Sequence, residues 1–262
     1  MGGVTLGSIV RASIVTLGSL LAVVAHAAVP APPAARDGAL GGDAPFVVAL
    51  DAGHGGSNLG TVAADGLLEK EVTLALARRL GARLERTRDV RVVLCRDRDV
   101  LVPIRARSRC AADAHADLFI SLHANATPAG VAPGSQRGYE LYVLPPEDVE
   151  DDANLAALSG RGAAGVWASH LVRASAAQSA AAARAIDRRL RSALGAGRAR
   201  GIRQSGAALD VLRGLRAPGV LLEVGFLDNP LDRAELASLD GQERLSQAIA
   251  AAVLDYRVAA MH

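Results

Sequence analysis

The stretch "FVVALDAGHGG", residues 46–56, decides the fold of this chain. Its first five residues, 46–50, are all apolar, which is typical of a strand that is covered on both faces, as in a parallel sheet. The apolar pattern then stops within one residue, and His54 stands among three glycines. The stretch therefore predicts a buried strand that ends in a tight turn carrying a histidine.

Strand-like and helix-like patterns alternate along the rest of the chain. Within residues 71–86, apolar side chains recur at every fourth position, which is the spacing of one face of a helix that packs on a sheet. Residues 180–194 and 242–257 repeat this helical pattern. Such alternation predicts an α/β fold whose mostly parallel or mixed sheet is flanked by helices. The strands predicted from short apolar and aromatic runs are 46–50, 91–95, 118–122, 139–144 and 220–224.

The composition limits the classes of function. With 262 residues, a formal net charge of +2 and 3% aromatic residues, the chain can form an ordinary core, and it offers no basic patch or stacking surface for nucleic acid. Its two cysteines, Cys95 and Cys110, are too few for a zinc finger, so any metal must be held by histidines and carboxylates. A disulfide between them and two buried free thiols are both compatible with the sequence.

Residues 1–27 have the features of a secretory signal peptide. Arg11 precedes an apolar stretch from about Ser13 to Ala25, and a small-x-small sequence ends at Ala27. A membrane anchor is the alternative, but the apolar stretch is shorter than the roughly 20 residues that a span needs. We therefore expect the protein to be exported and cleaved after Ala27, and to have no stable membrane anchor after cleavage.

The predicted mature chain has two parts. Residues 28–45 are rich in Pro, Ala and Gly without periodicity, and they predict a flexible leader. The remaining segment, 46–258, is predicted to be a single folded domain that carries the function.

Three ionisable residues lie at or near the ends of predicted strands: His54 after the first, His123 after the third and Glu223 within the fifth. Ligand sites of open α/β sheets gather beyond the carboxyl ends of the strands. Each residue alone has a structural explanation, since a histidine after a strand is often simply hydrogen-bonded. Together they would be costly to bury without a partner, and a divalent metal would satisfy all three. The glycines beside His54 would also leave room for a substrate.

Four sequence blocks, in this order and spacing, resemble the zinc-dependent N-acetylmuramoyl-L-alanine amidases of the third amidase type, which cut peptidoglycan in cell separation. The resemblance extends from about Phe46 to Tyr256. It implies a single α/β domain with a six-stranded mixed sheet and a zinc site at the C-terminal edge of the strands, with residues 209–213 as the sixth strand. The blocks are "VVALDAGHGG" (47–56), "GLLEKEVTLALARRL" (66–80), "LCRDRDVLVPIRARSRCAADAHADLFISLHANA" (94–126) and "APGVLLEVGFLDNP" (217–230).

By this resemblance, one Zn²⁺ per chain is held by His54, Glu69 and His123, and Glu223 is the catalytic carboxylate. Two histidines with one glutamate are a known ligand set of catalytic zinc, which lowers the pKa of bound water and polarises a carbonyl. Glu223 would take the proton of that water and pass it to the leaving amine. The bond implied is the amide between the lactyl group of N-acetylmuramic acid and L-alanine.

The resemblance also implies partners and a compartment. Peptidoglycan is the expected substrate, an activator protein is a further candidate partner, and the exported enzyme would be periplasmic or associated with the cell wall. Two other functions stay open: a zinc hydrolase of the same fold that acts on another amide, and a non-catalytic wall-binding or activator protein on a degenerate scaffold. Retention of both histidines and both glutamates argues against the second.

Several polar residues have simpler interpretations. Glu69 itself is compatible with a plain helix start, because an acidic first turn suits the helix dipole. Glu71, His115 and His170 are expected to be surface residues rather than ligands. Asn125 and the "RDRD" run at 96–99 could orient either the site or the turn.

The segment 145–178 has five carboxylates among residues 147–152. The resemblance places it where some relatives have a helix that covers the zinc site until an activator removes it. The alternative, which we favour, is a solvated acidic loop followed by a surface helix, with the next core helix beginning near Ser179.

Cleavage of the signal peptide gives the first prediction. The exported protein should begin at Ala28, because the small residues at 25 and 27 fit the cleavage site of a signal peptidase. N-terminal sequencing or intact mass of the protein recovered from outside the cytoplasm measures this. Recovery of the exported protein with residues 1–27 still attached would contradict it.

Overall fold

The described part of the chain contains six strands and six α-helices. The computed structural model describes residues 44–160, 162–204 and 207–261. The predicted signal peptide and nearly all of the predicted leader therefore lie outside the described residues. The strands are β1 (Phe46–Ala52), β2 (Val90–Leu94), β3 (Leu118–Asn125), β4 (Tyr139–Tyr142), β5 (Ala199–Arg203) and β6 (Gly219–Phe226). The helices are α1 (Glu69–Leu84), α2 (Ile104–Asp113), α3 (Pro146–Ser159), α4 (Ala163–Leu194), α5 (Pro230–Ala237) and α6 (Leu239–Ala260).

All six strands form one mixed sheet in the order β2-β1-β3-β6-β4-β5. The pairs β1–β2, β1–β3 and β3–β6 are parallel, whereas β4 runs antiparallel to β6 and parallel to β5. The predicted α/β class with a mostly parallel or mixed six-stranded sheet is confirmed.

The two faces of the sheet are covered by different elements. Alternate residues of the central strands, such as Leu50 and Leu122, pack with apolar side chains of α1, α4 and α6 in the main core. The opposite face buries Ala49, Phe119 and Leu221 against α2 and the segment that follows β5. Because both faces are covered, the central strands are apolar on both sides, and this is why the sequence shows them as continuous hydrophobic runs.

The predicted sixth strand, 209–213, is wrong. A 3-10 helix at Ala207–Val211 begins this stretch, and Leu209, Leu212 and Leu215 pack onto the second face of the sheet. The sixth strand is β5, "ARGIR", at the edge of the sheet. Periodicity does not distinguish a short apolar run in a strand from one in a helical turn. Strand β5 is half-exposed and contains arginines, so it lacks the apolar pattern by which the other strands were predicted.

The segment 145–178 is more helical than predicted. The acidic residues 147–152 lie within α3, and α4 begins at Ala163 rather than near Ser179. Helix α3 packs on the first half of α4 through Val149, Ala153 and Val172. The expected loop is thus the first half of a helical hairpin.

A disulfide joins Cys95, directly after β2, to Cys110 on α2, so the alternative of two free thiols is wrong. Within the described ranges, no helix has the combination of length and apolar character that crossing a membrane requires.

Candidate metal centre

Three side chains from separate elements meet at the carboxyl edge of the sheet. His54 follows β1, Glu69 is the first residue of α1, and His123 belongs to β3. Glu69 Oε1 lies 3.0 Å from His54 Nε2 and 2.9 Å from His123 Nδ1. One ligand atom from each of the three residues lies within 4.8 Å of the other two. The structure thus brings together the three residues that the sequence suggested as ligands.

The sheet explains why the two histidines are neighbours. Strands β1 and β3 are parallel and adjacent, with Ala52 opposite Leu122, so both strands end at the same edge of the sheet. The imidazole rings of His54 and His123 lie 4.9 Å apart at an interplanar angle of 78°. Strand pairing therefore brings the two histidines to the same edge of the sheet.

Hydrogen bonds fix the carboxylate of Glu69 between the rings. Its Oε1 accepts from the backbone N–H of Ala124 at 3.0 Å, and its Oε2 accepts from the N–H of Thr61 at 2.8 Å. Burial alone would raise the pKa of Glu69, but the hydrogen bonds with His123 and His54 hold it far below its usual value. The centre is therefore built around an ionised carboxylate.

His54 is held by Asn58 as well as by Glu69. Its Nδ1 lies 2.9 Å from Asn58 Oδ1. Burial lowers the pKa of His54, but the hydrogen bond and the charge of Glu69, with the hydrogen bond to Asn58, raise it more, so that the net shift is upward. The ring thus has one fixed partner on each nitrogen.

Two glycines leave the space that the ligand side chains occupy. A Cβ added at Gly53 would lie 2.6 Å from His123 Nε2, and one at Gly60 would lie 2.5 Å from Glu69 Oε2 and 2.7 Å from His54 Cδ2. The space beside Gly53 is therefore filled by the second histidine, whereas the sequence analysis assigned this space to a substrate. Gly55 and Gly56 do adopt positive φ, as a tight turn requires.

Glu223 stands next to His123 on the same face of the sheet. The two residues are register partners on β3 and β6, and Glu140 on β4 is the register partner of Glu223 on its other side. Glu223 is 8% exposed, and its buried Oε2 has no hydrogen-bond partner among the described residues. Burial first, and then the charges of Glu69 and Glu140, raise the pKa of Glu223 well above its usual value.

Glu140 is a site residue that the sequence analysis missed. It accepts hydrogen bonds from Arg200 Nε at 2.6 Å, from the Tyr142 hydroxyl at 2.7 Å and from Asn125 Nδ2 at 3.1 Å. Burial raises its pKa, but the hydrogen bond from Arg200 and the others lower it more, so Glu140 stays ionised. Its position next to Glu223 depends on the antiparallel pairing of β4 with β6, which periodicity did not predict.

The donor set suits a divalent metal ion. Two imidazoles and one ionised carboxylate are a ligand set of catalytic zinc, which leaves one position open. The unpaired oxygen of Glu223 lies on the strand beside this group and lacks a hydrogen-bond donor among the described residues, which indicates that a further group binds here. The residues present therefore fit a zinc ion.

The other polar residues considered in the sequence analysis do not belong to the group of His54, Glu69 and His123. Glu71, His115 and His170 are exposed, as expected. In the acidic part of α3, Asp148 and Asp152 pair with Arg213, and Glu150 pairs with Arg173. Three of the five carboxylates are thus engaged with arginines of other segments, and a lid role of α3 stays a hypothesis.

Comparisons with known proteins identify the family of the chain. A family model described as N-acetylmuramoyl-L-alanine amidase, Amidase_3, matches residues 48–255. The chain is 38% identical over 106 residues to N-acetylmuramoyl-L-alanine amidase AmiC of Escherichia coli O6:H1, which is 40% of this chain and 25% of that protein. It is 30% identical over 207 residues to N-acetylmuramoyl-L-alanine amidase LytC of Bacillus subtilis (strain 168), covering 79% of this chain and 34% of that protein. The chain thus spans a quarter to a third of the length of these two relatives.

Among solved structures, N-acetylmuramoyl-L-alanine amidase AmiC2 of Nostoc punctiforme superposes with a TM-score of 0.63 at 27% sequence identity. The match covers 83% of this chain and 99% of that structure. The family resemblance read from the four sequence blocks is confirmed.

Gly60 offers a matched test of the centre. Gly60→Ala should weaken zinc binding by about tenfold or more, because the added methyl group displaces both Glu69 and His54. Gly66→Ala is the control, since Gly66 also has positive φ but no atom within 4 Å of an added Cβ. Equilibrium competition with a chromophoric zinc chelator measures both affinities. Equal affinities of the two variants would contradict the assignment of Glu69 and His54 as ligands.

Proposed function

The chain belongs to the Amidase_3 family of N-acetylmuramoyl-L-alanine amidases, and from this premise we propose that it hydrolyses the amide bond between the lactyl group of N-acetylmuramic acid and L-alanine in peptidoglycan. One observation carries the proposal: two imidazoles and a carboxylate converge at one point beside Glu223, whose buried oxygen has no partner among the described residues. This arrangement supports amide hydrolysis, and the family supplies the substrate class.

His54, Glu69 and His123 would hold the zinc ion. When bound there, zinc would polarise the amide carbonyl and make water acidic enough to lose a proton near neutral pH. The protein's part is to fix the ligands, through the backbone N–H groups of Thr61 and Ala124 on Glu69 and the side chain of Asn58 on His54.

Glu223 would act as the general base and then as the general acid. Its burial and the neighbouring charge of Glu140 increase its affinity for a proton, so it can take one from the attacking water. Oε2 is free to hold this proton and to deliver it to the nitrogen of the leaving L-alanine. In this mechanism Glu223 moves the proton, while the neighbouring Glu140 stays ionised.

Two features support export to the cell wall as part of the proposal. The N-terminal sequence has the pattern of a signal peptide, and the Cys95–Cys110 disulfide is typical of proteins from oxidising compartments. We place the enzyme in the periplasm or at the cell wall, with a role in cell separation. An activator protein stays a prediction from the resemblance.

Digestion of purified peptidoglycan tests the function. The zinc-loaded protein should release stem peptides that begin with a free L-alanine amine and leave glycan strands with intact lactyl groups, both identified by mass spectrometry. Cleavage of a different amide would favour the alternative of a zinc hydrolase that acts on another substrate. Stoichiometric binding without cleavage would favour a non-catalytic wall protein. Either result would overturn the proposal.

Glu223→Gln separates proton transfer from metal binding. The amide keeps the volume of the carboxylate but cannot take a proton, so turnover should fall by roughly 10² to 10⁴-fold while zinc stays bound near stoichiometry. His54→Ala and His123→Ala should lose the metal as well as the activity. Metal analysis beside the digestion assay measures both effects. Loss of zinc from Glu223→Gln but not from His54→Ala would reverse the assigned roles.

A further inference from the structure

Two buried arginines hold the turn that carries His54. Arg96 donates from Nε to the carbonyl of Ala52 and from Nη2 to the carbonyl of Gly53, both at 2.8 Å. Arg107 donates from Nη1 to the carbonyl of Ala52 at 2.7 Å and from Nη2 to the carbonyl of His54 at 2.6 Å. Three successive carbonyl groups of the turn thus accept hydrogen bonds from guanidinium groups.

Arg96 also connects this turn to the segment that carries Glu69. Its Nη2 donates to the carbonyl of Lys70 at 2.8 Å and lies 3.2 Å from Thr73 Oγ1. The Thr73 hydroxyl in turn donates to the carbonyl of Gly53 at 2.9 Å. One side chain therefore fixes the start of α1 relative to the end of β1, and with them two of the three ligands.

The turn needs such support because its backbone is strained. His54 has a φ of 61°, in the left-handed region that residues other than glycine rarely adopt. A conformation of this kind persists where the surrounding contacts over-determine it. The hydrogen bond from Arg107 to the carbonyl of His54 is one of those contacts.

The charge of Arg107 is compensated inside the core. Its Nη1 lies 2.6 Å from Asp51 Oδ1, and Asp51 Oδ2 accepts from the Ser121 hydroxyl at 2.7 Å. Each arginine donates from several nitrogens in a fixed plane, and a lysine ammonium group does not reproduce this geometry. The planar guanidinium groups, rather than their charge alone, hold the turn.

The disulfide joins the two arginine segments. Cys95 directly precedes Arg96, and Cys110 lies about one helical turn after Arg107 on α2. The covalent bond thus links the end of β2 to α2 close to both guanidinium groups. Without it, the only covalent connection between the end of β2 and α2 would be the loop 95–103.

We propose that Arg96 and Arg107 are positioning residues for the metal ligands, and that the Cys95–Cys110 disulfide fixes these arginines relative to each other and so raises the affinity of the centre for zinc. The inference rests on the proposed zinc site. It adds to that site a dependence on a covalent bond between two residues that are not among the proposed ligands.

The test compares zinc affinities of metal-stripped proteins. Arg96→Lys, Arg107→Lys and the double variant Cys95→Ser/Cys110→Ser should each bind zinc about tenfold more weakly than the unaltered protein, the usual effect of losing an outer contact of a metal ligand. Competition with a chromophoric chelator, well below the melting temperature of each variant, gives the dissociation constants. Far-UV circular dichroism at the same temperature verifies that each variant is folded.

Arg198→Lys is the matched control. Arg198 is also largely buried and ion-paired, but its partners are Asp232 and Glu235 of α5. This variant should lower the melting temperature and leave the zinc dissociation constant unchanged.

The outcomes separate three cases. A double cysteine variant that melts earlier but binds zinc within twofold of the unaltered protein would overturn the role of the disulfide. Unchanged affinity in both lysine variants would overturn the role of the arginines. Failure of the unaltered protein to bind zinc would instead refute the proposed zinc site. If one lysine variant does not fold, the other and the double cysteine variant still decide the question.

Discussion

The carboxylate of Glu69 is the contact on which the rest of the centre depends. Two imidazoles and two backbone N–H groups surround it, and they come from β3, from the turn after β1 and from the segment that leads into α1. Because Glu69 is also the first residue of α1, which lacks a side-chain cap at Leu68, its charge lies at the positive end of the helix dipole. The two sequence interpretations of Glu69, helix start and ligand, are therefore compatible: the same charge serves the helix and the centre.

The proton affinity of Glu223, the proposed base, is raised first by burial and then by neighbouring carboxylates. Glu140 and Glu223 are register partners on antiparallel strands, which brings two carboxylates close together in a buried region. Arg200 and Arg203 lie on one side of this pair and interact with Glu140, while Glu223 has no such cation among its described contacts. A buried carboxylate that is paired with arginines stays ionised, whereas an unpaired one gains a proton more readily. The arrangement therefore keeps Glu140 charged and leaves Glu223 as the carboxylate that can accept a proton.

The sequence predicted most of the sheet because buried strands are apolar on both faces, as in 46–50 and 118–122. It failed for β5, an edge strand whose arginines conceal the pattern, and for 209–213, whose apolar residues belong to a 3-10 helix and the turn after it. His54, His123 and Glu223 could be found from their places near strand ends. Glu69 could be assigned as a ligand through the family resemblance alone. Arg107 and Glu140 act through contacts between segments distant in sequence, which no local pattern records. Gly60 acts through the close approach of His54 and Glu69, which becomes visible once the turn is folded.

The position of β6 has a consequence for when the proposed activity would arise during synthesis of the chain. This strand is the last of the six in the chain, yet it lies in the middle of the sheet, between β3 and β4. A growing chain that has reached α4 can pair β1, β2 and β3, but it has neither the strand that joins them to β4 nor Glu223, the proposed base. Such long-range pairing forms late and slowly. The three proposed ligands can thus assemble before the proposed base does, so that the proposed wall-degrading activity would arise when the sheet is completed and not at an earlier stage of folding.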